Sequence, residues 1–78
     1  MSDSITAPMT DEEKLRVLLS HWIDHNHEHA GQFRRHAPKA GQAAGEIIAA
    51  ADAMLLVNVH LQTALKLLGG SVPRPHSH

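Results

Sequence analysis

Histidines stand at 21, 25 and 29, each four residues from the next. On an α-helix residues four apart share a face, one turn above the other, so His21, His25 and His29 form one slanting ribbon. A neutral imidazole offers one free ring nitrogen, and two imidazoles at i and i+4 can grip one ion. The same spacing supplies the two helix ligands of the zincin metalloproteases. Here the run reads His25-Asn26-His27-Glu28-His29, without the glutamate that directly follows the first histidine in HExxH. The protease reading fails there. Glu28, on the same broad side, remains available as an outer ligand or as an acceptor behind one. Imidazole with carboxylate suits divalent nickel, cobalt, zinc and copper.

One helix cannot bring all three ribbon histidines to a single ion. His21 and His29 are two turns apart, roughly 12 Å along the axis. In an antiparallel hairpin the neighbouring flank of the return helix holds Ala50, Met54, Val57 and Leu61, with Asp52 on the other flank. None of those four is a good ligand for a borderline divalent ion. The missing ligands are therefore expected from a second chain related by symmetry. The competing reading is a half-exposed polar helix face whose histidines bond water and nearby carboxylates. His25 and His29 are expected partly buried at the core edge, while His27 points away. His36 beside Arg34 and Arg35 reads as surface, and His60 falls opposite the core seam. His76 and His78 are weak chelators on a tail whose ordering costs entropy. Haem fits poorly, since the return helix offers no paired histidine to the core. The missing CxxCH motif excludes covalent c-type haem.

The rest of the composition narrows the classes further. A chain of 78 residues makes at most one domain, and a single copy is marginal on hydrophobic burial alone. There is no cysteine, so disulfides, zinc ribbons, iron–sulfur sites and thiolate copper carriers are excluded. Seven basic and eight acidic residues give a net charge of -1 with histidine neutral. That balance, with Trp22 and Phe33 as the only aromatics, gives no reason to expect nucleic acid. The eight histidines are the anomaly. A side chain that titrates near pH ~6.5 makes such a chain strongly cationic in mild acid. The start is polar and acidic, unlike a signal peptide, and no apolar run reads as long enough to span a membrane. A cytoplasmic protein is expected.

The elements that position the ribbon follow from pattern and punctuation. Residues 1–9 read as a loose tail. Thr10-Asp11-Glu12-Glu13 fits a capping box, with acidic residues at the positive end of the helix dipole. Helix 1 is expected over about 11–37, with Leu15, Leu18, Leu19, Trp22, Asn26, His29, Ala30, Phe33 and Ala37 on its core arc. Trp22 and Phe33 are expected in the core. Pro38 ends the helix. Helix 2 is expected over about 42–68, with a heptad of Ala44, Ile47, Ala51, Met54, Asn58, Leu61, Leu65 and Leu68. Asn26 and Asn58 on the two seams read as groups that set the register. Gly69-Gly70 stops the chain, and residues 70–78 read as a second tail. The hairpin domain then spans 10–69. Helix 2 also carries Ala43, Ala50, Val57, Val59 and Ala64 beside its seam, a wider apolar arc than one partner helix requires. The fold class is all-α: an antiparallel two-helix hairpin that pairs with a second copy into a dimeric four-helix bundle.

The segment Leu15-Arg16-Val17-Leu18-Leu19-Ser20-His21-Trp22-Ile23-Asp24-His25-Asn26-His27-Glu28-His29-Ala30-Gly31-Gln32-Phe33-Arg34-Arg35 resembles a small prokaryotic helical-hairpin domain with the pattern HWIxHNxxHAxxF. The return helix with its Leu-Gly-Gly end fits as well, and the similarity covers most of residues 10–70. Such domains are associated with nickel-handling proteins in anaerobic bacteria and archaea. The resemblance implies that His21, His25 and His29 are the recurring histidines, while His27 stands where an acidic residue is expected.

The sequence thus points to a metal-binding protein rather than an enzyme. His21, His25 and His29 would hold nickel, cobalt, zinc or copper, and the chain would serve as carrier, store or accessory factor. Its expected partners are a second copy and a metalloenzyme or metal-handling protein, with no nucleic acid and no membrane. The alternative is a dimerising interaction hairpin with no metal role.

Overall fold

The computed structural model describes residues 8–72. The two tails expected at 1–9 and 70–78 lie outside that range, apart from Pro8, Met9 and Gly70 to Val72. The Thr10 hydroxyl accepts a hydrogen bond from the Glu13 amide at 3.1 Å, and the Glu13 carboxylate accepts one from the Thr10 amide at 2.9 Å. This capping box satisfies two amides near the start of the helix. Helix α1 then runs Asp11–His36, with Asp11, Glu12 and Glu13 in its first turn and Arg34, Arg35 and His36 in its last. Both sets complement the helix dipole.

Pro38 cannot continue the helix hydrogen-bond ladder, and the chain turns there through two short 3-10 segments, Ala37–Lys39 and Gly41–Ala43. Gly41 takes φ +57°, a conformation that costs other residues energy. Helix α2 runs Ala44–Leu67. Gln42 and Ala43, expected inside helix 2, form part of the second 3-10 turn instead. At the far end the Gly69 amide donates to the Lys66 carbonyl at 3.1 Å and the Gly70 amide donates to the Leu65 carbonyl at 2.9 Å. This is a Schellman closure, and the positive φ of Gly69 makes it possible. The described chain is all-α: two antiparallel helices joined by a short turn.

On α2 every expected heptad position, from Ala44 to Leu68, is buried or half-buried. On α1 the seam differs from expectation. It follows Leu19, Ile23, Asn26, Ala30, Phe33 and Ala37, each buried or half-buried. Leu15, Leu18 and Trp22, expected on the core arc, remain 40%, 44% and 41% exposed. Two polar anchors account for the rotation of α1. At one end the Arg16 Nε donates to the Gly70 carbonyl at 2.6 Å, so Arg16 caps the C-terminus of α2. At mid-seam the Asn26 amide donates to the Asn58 carbonyl oxygen at 3.1 Å, and the Asn58 amide donates to the Ile23 carbonyl at 3.0 Å. Turning α1 to bury Trp22 would break these bonds.

The closed core is small. Its buried apolar residues are Leu19, Ala30, Ala37 and Ala51, three of them alanines. Small side chains bring the helices close but take little apolar area out of water. Much of α2 therefore faces outward. By length and composition it is apolar enough to cross a membrane, which corrects the expectation that no run in this chain is, and only 11% of its most apolar stretch is buried in the hairpin.

Candidate metal centre

The ribbon lies on α1, on the flank that also carries Leu15, Leu18 and Trp22. Its geometry resolves into a close pair with a neighbour on each side. The Nε2 atoms of His25 and His29 stand 3.0 Å apart. Their rings meet edge to face, with centroids at 4.4 Å and planes at 85°. The His21 ring stacks on His25 at 5.7 Å, and the Phe33 ring stacks on His29 at 6.1 Å. Phe33 sits on the seam, so it anchors His29 from below. His29 is half-buried, as expected. His25 is exposed, against expectation, because the rotation that leaves Trp22 outside carries His25 further out.

Two imidazole nitrogens at hydrogen-bond distance have two chemical states open to them. Either one ring donates an Nε2–H to the other, or both carry their proton on Nδ1 and turn two lone pairs toward one point. The second state is a chelating pair. Among the described residues, no three or more histidine or acidic side chains come together as a possible metal cage. His21 reaches the pair only through ring stacking. Glu28 makes no hydrogen bond to the pair and instead lines, with Ile23, Asp24, His27 and Gln62, a groove of about 400 Å3. Asp52 forms an ion pair with Arg34. His36 and His60 are exposed, and His76 and His78 lie outside the described residues.

Sequence reasoning missed two residues that position the pair: Arg16 and Ile23. Both fall on the run 16-19-23-26-30-33-37, a heptad as regular as the one found in helix 2. The two asparagines carried the signal, since pairing Asn26 with Asn58 selects that run over the arc through Leu15, Leu18 and Trp22. A second groove, of about 820 Å3, has Val17, Ile23, Leu65 and Val72 in its walls and Glu13 and Asp24 at its edge. It contains neither member of the pair.

No curated protein and no solved structure matches the chain. Residues 15–68 match a family described as a domain of unknown function, DUF8180. That span takes in the whole ribbon, both asparagines and all of α2, and the chain belongs to this family.

Proposed function

We propose that this protein binds a divalent transition-metal ion through His25 and His29, with the His21 ring stacked against His25 beside them, and acts as a carrier, store or accessory factor rather than a catalyst. The observation that carries the reading is the 3.0 Å separation of the two Nε2 atoms. At a metal–nitrogen distance of about 2.1 Å, adjacent corners of a square or octahedron lie about 3.0 Å apart and those of a tetrahedron about 3.4 Å. Small shifts of the two rings span that range, so the pair serves nickel, copper, zinc or cobalt alike.

Titration calorimetry of the untagged full chain with Ni(II) and Zn(II) tests this. The expected result is micromolar or tighter binding that His25→Ala or His29→Ala weakens by about tenfold or more, equivalent to about 1.4 kcal/mol. Millimolar binding that ignores both substitutions sinks the reading. The second reading, a dimerising hairpin with no metal role, rests on the exposure of Leu15, Leu18 and Trp22. It predicts a dimer whose melting temperature is the same with and without chelator.

A further inference from the structure

We infer that a second copy of this chain covers the face formed by Leu15, Leu18 and Trp22 of α1 with Val57 and its neighbours on α2, and that a divalent metal ion held between the two His25–His29 pairs drives the pairing. The inference rests on the metal-binding reading above and adds to it what completes the site and what binding accomplishes.

Four observations converge on a second copy. First, the closed core consists of one leucine and three alanines, which leaves a chain of this size marginal on its own. Second, the uncovered face spans both helices. Leu15, Leu18 and Trp22 follow a 3-4 spacing, and helical arithmetic sets Val57 on the facing flank of α2, beside the half-buried seam residues Met54 and Leu61. Val57 is 46% exposed. A two-helix surface of this kind is what a four-helix bundle buries. Third, the metal pair lies on this face. His25 follows Trp22 by three residues, and His29 packs on Phe33. Fourth, the pair is half of a site. Two imidazoles occupy two positions, and a nickel or zinc ion takes four or more. A two-fold partner presents the same patch, so it doubles the donors to four.

The back of α2, where Leu56 and Leu67 are exposed, and the groove walled by Val17, Ile23 and Leu65 are the competing apolar surfaces. Neither carries the chelating pair. A bilayer is the other candidate cover. It fits less well, because α2 is bonded through Asn58 to a helix carrying Asp24, Glu28, Arg34 and Arg35, which hydrocarbon does not tolerate.

The test is sedimentation velocity on the untagged full chain at low micromolar concentration, in EDTA and with one Zn(II) or Ni(II) per two chains. The single tryptophan, Trp22, gives a second readout in the zinc sample, because zinc has no redox chemistry and a closed shell. The expected result is monomer in EDTA, dimer with metal, and a blue shift of Trp22 emission on pairing. Leu18→Glu abolishes the metal-driven dimer; if it also loses helicity, Trp22→Gln interrogates the same face. Leu56→Glu pairs like the parent. Metal uptake by calorimetry with no change in mass overturns this inference and leaves the metal-binding reading standing. No uptake at all overturns both. Four results overturn the inference alone: dimer that persists in EDTA; dimer lost in Leu56→Glu and kept in Leu18→Glu; dimer lost when His76 and His78 are both changed to alanine; or metal-free chain that floats with phosphatidylcholine–phosphatidylglycerol vesicles through Leu18 rather than pairing.

Discussion

Asn58 is the one buried polar side chain among the described residues, and both ends of its amide are used. Its oxygen takes the Asn26 amide and its nitrogen reaches the Ile23 carbonyl across the seam. Asn58→Ala strips Asn26 of its partner in a part-buried place, which costs about 1–3 kcal/mol and lowers the urea midpoint. Asn26→Leu combined with Asn58→Leu recovers most of that stability, because no polar group is left unpaired. It also lets the seam slip, which appears as broadened or doubled amide resonances. A single Asn58→Ala as stable as the parent contradicts this account. Arg16 acts at the other anchor. Arg16→Met keeps an apolar stem and removes the charge-assisted bond to the Gly70 carbonyl, so about 1 kcal/mol is lost. Hydrogen exchange then quickens first at the Gly69 and Gly70 amides. The asparagines were legible as register-setting groups from their heptad positions. Arg16 was not, because an arginine near a helix start reads as surface until the end of the other helix is placed beside it.

At the scale of elements, helix 2 was easier to read than helix 1. Its heptad of Ala44 to Leu68 runs without interruption and takes in Asn58, so its seam reads directly from the sequence. Helix 1 offers two stripes half a turn apart or less, one through Leu19 and Ile23 and the other through Leu15, Leu18 and Trp22. Hydrophobicity favours the second, since it holds the tryptophan. Two side-chain hydrogen-bond anchors decide for the first, and such bonds are invisible until the two helices are docked. The turn between them gives a paired prediction. Gly41 sits at φ +57°, so Gly41→Ala costs about 1 kcal/mol. Gly45 lies in the first turn of α2 with nothing within 4 Å of an added methyl, so Gly45→Ala gains about 0.5–1 kcal/mol from helix propensity. Thermal melts of the two variants should move in opposite directions. A gain at Gly41 or a loss at Gly45 means the turn is drawn in the wrong place.

For the whole molecule, the governing fact is that a hairpin with this little closed core exposes large apolar side chains on both helices. The width of the helix 2 arc reads as room for a second contact. Which face would serve it depends on how α1 is rotated, and the rotation also places the histidine pair. Three histidines in register read as one ribbon in the sequence. Folding divides them into a close pair and a stacked neighbour, because ring packing on Phe33 fixes His29 and leaves His21 further out. A ligand that binds only the native state stabilises it by mass action. Metal at about a hundred times its dissociation constant should therefore add about 2.7 kcal/mol, and EDTA should lower the melting temperature of the metal-loaded chain by several degrees. The most direct measurement is native mass spectrometry of the full chain purified without a histidine tag or metal column, before and after EDTA. The account predicts one nickel, cobalt, zinc or copper ion per two chains, removed by EDTA and missing from His25→Ala. A metal-free mass that Ni(II) and Zn(II) leave unchanged contradicts it.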